Sequence, residues 1–356
     1  MGQELNKPIL DKKPKDGKAT FFRYGMNEIK GWKKRMEVFS IYENNIGPNK
    51  NLNIFGLFDG HSGKEISQYL SQHFVSELLK NNNFINEEYN KALKDTFKNI
   101  DKSLRTEEIN KKLLIYAKEN KDEERRKIND IYKTIDSKNK LNNNDIEELN
   151  IIMDIIDPNN LEGLFIANYM GSSGIIVLIN DKITYIANAG NSHCIVIDKN
   201  LGIINDKNVR EQNIYNKTEL KRVNIAKQIK YGKEKVKKCE EFLFTRGFGN
   251  FQYKSNNLIS IEEQEISPIP NLFEIENTEI KYIIICNSGF FQISNNDNKN
   301  NEKNISNYFV EKLKSEKKIS DIIGEYIDEF IPKNNENWTD SLEYNLSCII
   351  IDFINN

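Results

Sequence analysis

Leu52-Asn53-Ile54-Phe55-Gly56-Leu57-Phe58-Asp59-Gly60-His61-Ser62-Gly63 runs a mostly apolar segment into an acidic turn. The apolar part has the length of one buried strand, and Asp59-Gly60 is a turn signal that ends it. A carboxylate at a strand end, followed by glycine, aims a side chain and a backbone carbonyl at a common point, as a hard cation requires. His61 stands beside it, where a histidine could protonate a leaving group. Taken alone, the turn is also an ordinary strand-to-helix connection. Its surroundings decide between the two readings.

After the turn, Ile66, Leu70, Phe74 and Leu78 recur at helical spacing, and so do Tyr89, Leu93, Phe97 and Ile100. Residues 174–187 and 193–204 read as hairpins, with turns at Asn180-Asp181 and at Asn200-Leu201-Gly202. Strands are expected at 282–286 and 346–353. Between them lie two helices, carrying Ile305, Tyr308, Phe309 and Leu313, then Ile319, Ile322, Ile323, Tyr326, Ile327 and Phe330. The strand runs are β-branched and nearly continuous, so both of their faces are buried. Strands toward both ends with paired helices between them imply an α+β layered fold. Residues 103–162 differ from the rest. They are dense in charge and asparagine, with Ile109, Leu113, Tyr116, Leu149, Ile152 and Ile156 at helical spacing, and read as a helical or partly disordered insertion.

The 356 residues carry 51 Lys+Arg against 53 Asp+Glu, a net charge of −2, which excludes a bulk electrostatic grip on nucleic acid or anionic membrane. Apolar runs are too short for a membrane span, and the N-terminus has no apolar signal region, so the expected compartment is cytosol or nucleus. Gly2 invites a myristoylation reading, but Asn6 stands where that pattern needs Ser or Thr, so acylation is not expected. The cysteines form no C-x-x-C pair and are not expected to bind zinc. His73 is expected on a helix surface, His193 in a structural polar contact, and the basic run 230–238 on a solvated face.

The turn has ordered company. Tyr24-Gly25 and Gly31-Trp32-Lys33-Lys34-Arg35-Met36-Glu37 precede it. Gly171-Ser172-Ser173-Gly174, Ala187-Asn188-Ala189-Gly190-Asn191-Ser192-His193, Thr245-Arg246-Gly247-Phe248-Gly249-Asn250-Phe251-Gln252-Tyr253-Lys254, Cys286-Asn287-Ser288-Gly289-Phe290-Phe291 and Tyr344-Asn345-Leu346-Ser347 follow. In order and spacing these resemble the metal-dependent protein serine/threonine phosphatases of the PPM type, also called protein phosphatase type 2C. That family carries Y-G-x-x-x-x-x-G-W-R-x-x-M-E-D, D-G-H-x-G, G-S-T-A, N-x-G-D-S-R, S-R-A-L-G-D-F-x-Y-K, C-D-G-x-W-D and D-N-x-S. The resemblance covers roughly residues 1–102 and 163–354. It implies one domain over 1–354, interrupted by the insertion at 103–162. It also implies a central antiparallel β-sandwich flanked by pairs of α-helices, in four αββα layers.

The resemblance further implies a binuclear Mg2+ or Mn2+ centre whose bound water attacks a phosphoserine or phosphothreonine. Matched residue by residue, the bridging Asp59, the Gly60 carbonyl and Glu37 remain as metal ligands, and His61 remains as general acid. Lys33 replaces the phosphate-binding arginine, keeping its charge but losing its bidentate fork. The other acidic positions hold Val38, Asn191, Asn250, Ser288, Gln292 and Tyr344. Two divalent cations need carboxylates to offset them, and neutral replacements remove that charge. The expectation is therefore no cofactor, or at most one weakly held Mg2+ or Mn2+. The protein is expected to be an inactive pseudophosphatase acting by binding, as a scaffold or regulator in phosphoprotein signalling. Its protein partners, including phosphoproteins, would use the residual cleft or the 103–162 insertion. The alternatives are a weak Mg2+/Mn2+-dependent phosphatase and a structural component of a larger assembly.

Overall fold

The computed structural model describes residues 8–33, 35–48, 50–120, 165–204, 212, 216–231, 244–293, 301–332 and 345–354. Gly2, Tyr344, residues 121–162 of the expected insertion and most of the basic run 230–238 lie outside them.

The strands form two antiparallel sheets. The first contains β1 (Lys15–Lys18), β2 (Phe22–Ile29), β7 (His193–Asp198), β10 (Ile280–Cys286) and β11 (Leu346–Phe353), in the order β1-β2-β11-β10-β7. The second contains β3 (Val38–Ile46), β4 (Leu52–His61), β5 (Gly171–Ile179), β6 (Ile183–Ala189) and β9 (Asn271–Glu276), in the order β3-β4-β5-β6-β9, with the short β8 (Phe248–Gly249) paired to β5. The second sheet carries helices α1 (Glu65–Leu79), α2 (Asn82–Ile85), α3 (Tyr89–Ser103) and a fourth, α4, over residues 107–120. The other helices are α5 (Lys217–Tyr231), α6 (Ser288–Gln292), α7 (Asn301–Lys312) and α8 (Ile319–Phe330), of which α6, α7 and α8 pack on the first sheet.

Strand alternation sorts the apolar residues into three layers. In β4, Leu52, Ile54 and Phe58 face the helices, while Phe55 and Leu57 face the opposite sheet. In β10, Tyr282, Ile284 and Cys286 lie under α7 and α8, while Ile283 and Ile285 enter the space between the sheets. In β11, Cys348 and Ile350 take the outer side, and Ile349 and Ile351 the inner. Successive side chains on a strand point to opposite faces. Both faces are covered here, so the runs are continuously apolar rather than alternating with polar residues. Burying one such isoleucine or phenylalanine contributes about 1.5–3 kcal/mol.

The hairpin between β5 and β6 turns at Asn180, whose side-chain oxygen accepts from the amides of Lys182 at 2.8 Å and Ile183 at 2.6 Å. The expected second hairpin is slighter. After β7 the chain returns only as the bridge Ile197–Ile203, with Asp198 accepting from the amides of Asn200 and Gly202.

The expected insertion boundary is displaced. Residues after Ser103 do not leave the body: Leu104, Ile109, Leu113 and Ala117 are buried in the same cluster as Phe74, Phe97 and Phe248. Polar bonds add to this hold. The Asn110 side chain accepts from the amide of Ile166 at 3.1 Å, Asn120 donates to Glu65 at 3.0 Å, and Tyr116 donates to Gln72 at 2.6 Å. The charge of this segment faces outward while its apolar stripe completes the helical layer. Leu113→Ala is expected to lower stability by about 2–5 kcal/mol, the range for emptying a packed leucine site. Urea unfolding checks this, and a loss near zero would return α4 to the insertion.

Candidate active site

Alternation also sets the site. Asp59 continues the inward side of β4 beyond Phe55 and Leu57. Asn287 continues Ile283 and Ile285, and Asn345 and Ser347 continue Ile349 and Ile351. Where the apolar filling stops, these polar residues meet. Asn287 Nδ2 donates to Asp59 Oδ2 at 3.2 Å and to the Asn345 carbonyl at 2.7 Å, while its Oδ1 accepts from the Ser347 amide at 3.0 Å. Asn345 Nδ2 donates to the carbonyls of Lys30 at 2.8 Å and Arg35 at 2.9 Å, and its Oδ1 accepts from the Glu37 amide at 2.8 Å. The Glu37 carbonyl accepts from the Gly60 amide at 3.0 Å and from Ser67 Oγ at 2.6 Å. Gly60 is required here, since a Cβ would lie 2.6 Å from Ser67 Oγ and 2.9 Å from the Glu37 carbonyl. The two sheets thus hold Glu37, Asp59 and Gly60 together, with the asparagines as ties.

Burial pushes the Asp59 carboxyl up to about 6, against the opposing pull of the Lys33 charge and the Asn287 bond. The Lys33 ammonium is ion-paired with Glu37, four residues on. Burial lowers His61 to about 4, although its bond to Asn250 acts the other way. His61 Nε2 meets Asn250 Oδ1, and its ring lies 4.5 Å from that of Phe244. At neutral pH the imidazole is therefore uncharged in this arrangement and carries no extra proton for a leaving group.

The replaced positions lie close by. Val38 stands directly opposite Asp59 across β3 and β4 and is buried. Ser288 follows Asn287 at the start of α6, where its Oγ accepts from Gln292 Nε2 at 3.1 Å. Two residues of the expected acidic set thus bond to each other. Asn191 lies in the turn after β6, and Asn250 sits against His61 in a left-handed conformation with φ 52°. His193 does not make the expected polar contact. It is buried and stacks on Phe291 with ring centroids 3.6 Å apart, because β7 brings it beside the start of α6. His73, expected at the surface, is half-buried with its ring 4.3 Å from that of Tyr69.

Sequence reasoning missed the residues that hold the site. Asn287 and Asn345 lay inside quoted motifs, but only a side-chain count of donors and acceptors would have singled them out. It also missed Asp101 on α3. Its Oδ1 accepts from the Gly249 amide and from Lys254 Nζ, both at 2.8 Å, and Lys254 also donates to the Gly247 carbonyl at 2.7 Å. This buried pair fixes the turn that presents Asn250 to His61. Nearby, Glu219 accepts from Arg246, Arg222 and Thr245.

A family model described as "Protein phosphatase 2C" matches residues 22–115 and 115–300. The chain belongs to the protein phosphatase 2C family. It is 25% identical over 296 residues to "Probable protein phosphatase 2C 2" of Paramecium tetraurelia, covering 83% of this chain and 81% of that protein. It is also 25% identical over 354 residues to "Probable protein phosphatase 2C 5" of the same organism, covering 99% of this chain and all of that one. The fold matches the crystal structure of a phosphatase from Toxoplasma gondii with a TM-score of 0.62 at 14% identity, covering 97% of this chain and 96% of that one. It also matches a Caenorhabditis elegans sex-determining protein with a TM-score of 0.57 at 15% identity, covering 95% and 66%. The expected sandwich flanked by helices is therefore the fold of this protein phosphatase 2C chain. Among the described residues no helix is long and apolar enough to cross a membrane.

Membership corrects one expectation. The absence of a cofactor, or one weak cation at most, was inferred from the neutral replacements, but protein phosphatase 2C enzymes depend on Mg2+ or Mn2+. Among the described residues no group of three or more His, Cys, Asp or Glu is placed to hold a metal. The oxygen donors that remain still fit a hard cation in kind: the carboxylates of Asp59 and Glu37 and the carbonyl of Gly60. Asp59 would gain most, because burial disfavours its negative charge and a cation would offset it. When bound, the cation supplies Lewis-acid activation of water and charge for a phosphoryl group. Around it, Lys33 pairs with Glu37, Asn287 bonds to Asp59, and Asn345 holds the Glu37 backbone.

Lys33 neutralises Glu37 and so opposes a cation at the same carboxylate. Lys33→Gln is expected to tighten Mn2+ binding about tenfold, the scale of removing one nearby positive charge at partial exposure. Calorimetric titration of both proteins checks this, and equal dissociation constants would remove Lys33 from the competition.

Glu219 gives a pH test. Burial raises its carboxyl, but the bonds and charges of Arg246 and Arg222 and the Thr245 hydroxyl outweigh burial and hold it at about 2. Its stabilising effect is full above the ordinary carboxylate value of 4.5 and fades as pH falls toward about 2. Glu219→Gln is expected to cost about 3 kcal/mol at pH 7 and little near pH 2, from the size of that shift. Urea melts at the two pH values read it directly.

Proposed function

We propose that this protein phosphatase 2C chain acts by binding. It holds phosphoserine- or phosphothreonine-bearing segments of partner proteins in the cleft beside Asp59 and turns them over very slowly or not at all. The observation that carries this reading is a pair of neutral residues beside Asp59. Val38 lies opposite it in register, and Ser288 adjoins the Asn287 that bonds to it. Lys33 remains as a cation for a phosphate dianion, without the fork that would orient the group for in-line attack. Fewer carboxylates also leave less repulsion against an incoming phosphate, which favours retention over turnover.

A weak phosphatase is the second reading. The retained Asp59, Glu37, Gly60 and His61 favour it, since they cluster at one end of the sandwich. Hydrolysis of phosphoserine and phosphothreonine peptides with and without Mn2+ separates the two. The expected outcome is no Mn2+-dependent release of phosphate, with measurable peptide binding. A rate that rises with Mn2+ and vanishes in Asp59→Ala establishes the enzyme instead.

A further inference from the structure

Beside the site, a groove of about 650 Å3 runs along the outer edges of the two sheets, between β1, β2 and β3. Its volume is in the range of ligand clefts, about 300–1,000 Å3. Met26, Met36 and Val38 give it an apolar floor. Since Val38 pairs with Asp59, and Met36 precedes Glu37, the groove adjoins the candidate active site. Among the described residues, β1 and β3 each have a sheet partner on one side only, so the groove follows two strand edges.

Its charge departs from that of the whole chain. Lys13, Lys15, Lys30, Arg35 and Lys64 line it, against Asp11 and Glu28, so five positive charges less two negative leave +3. The whole chain is at −2. Glu28 is ion-paired with Lys13 at 3.2 Å, so the excess is carried by Lys15, Lys30, Arg35 and Lys64 against Asp11. The basic residues come from three separate stretches of chain: the segment around β1, the loop between β2 and β3, and the start of α1. The loop backbone is held through the Lys30 and Arg35 carbonyls, both bonded to Asn345, whose own carbonyl is bonded to the Asn287 that contacts Asp59.

We propose that this groove recognises an extended acidic segment of the partner protein, flanking the phosphorylated residue held beside Asp59. The inference rests on the binding function proposed above and adds to it the partner's chemistry. Apolar side chains of the segment would meet the methionine floor, and its Asp and Glu residues the lysine and arginine rim. Charged rims of this kind set partner choice and salt dependence more than total affinity.

The test uses the full chain and fluorescent peptides in four forms: phosphorylated with acidic flanks, phosphorylated with alanine flanks, phosphorylated with lysine flanks, and acidic without phosphate. Anisotropy gives their dissociation constants. The acidic-flanked phosphopeptide is expected to bind about tenfold more tightly than the alanine-flanked one at low ionic strength, with the gap closing as salt screens exposed charges. Lys15→Ala with Lys64→Ala should erase the gap. Thermal melting confirms that this variant folds, and Lys13→Ala with Lys15→Ala, both at exposed positions, serves in its place if it does not. Equal binding of the acidic- and alanine-flanked phosphopeptides overturns the groove assignment while leaving phosphopeptide binding intact. A preference that survives in the variants also overturns it. Tight binding of the acidic peptide irrespective of phosphate supports the groove and overturns the phosphopeptide reading. Binding of none overturns both.

Discussion

Asp59 lies near the end of β4 on the face shared by the two sheets, and its carboxyl is bonded to Asn287 just after β10 in the other sheet. A carboxylate buried there carries an electrostatic cost, visible in its upward shift to about 6. The Lys33 charge and the Asn287 bond offset part of that cost. The inner face of the sandwich is filled by Phe55, Leu57, Ile285 and Ile349, and the strands must leave that filling at one end. Backbone carbonyls and amides that emerge there need partners. Asn287 and Asn345 satisfy several of them at once, and Asp59 is tied into the same network.

That arrangement lets residues around Asp59 vary while the fold stands. The sandwich is held by apolar alternation on both faces of each sheet, and the ties at its end are asparagine side chains bonded mostly to backbone. Val38 in place of a carboxylate adds to the inner apolar layer. Ser288 in place of another forms a bond with Gln292, itself a replacement. Removing carboxylates also removes mutual repulsion around Asp59. The neutral residues are consistent with a stable apo state, and the retained donors with a cation. Lys33 presents to Glu37 a charge of the sign that a cation would supply.

The second tier of the site is built from helices. α3 supplies Asp101, buried with Lys254, and this pair holds the turn that places Asn250 on His61. A buried ion pair is costly unless its remaining hydrogen-bonding groups find partners. Here the Gly247 carbonyl and the Gly249 amide provide two of them, while Asp101 Oδ2 has no hydrogen-bond partner among the described residues. α4 braces α1 through Asn120 and Tyr116, so the helical layer over β4 extends further than the charge of this segment suggests.

Strands β4, β5, β6, β7, β10 and β11 and the paired helices on either side were legible in the sequence, because period-2 and period-3.6 apolar patterns follow directly from backbone geometry, whereas the edge strands β1 and β9, exposed or half-buried along most of their length, carry no such pattern. Asp59, Gly60, Glu37, His61 and Lys33 each sit in a short local motif, and the fold brings them to one end of the sandwich. The limits of the insertion were not legible. Charge density marked residues 104–120 as separate, yet only the packed helices show that Leu113 and Ala117 have an apolar surface to cover. The ties of Asn287 and Asn345, the Asp101–Lys254 pair and the stack of His193 on Phe291 were decided by tertiary structure alone. They join residues far apart in the chain, and a hydrogen bond or ring contact of that kind leaves no period or spacing in the sequence.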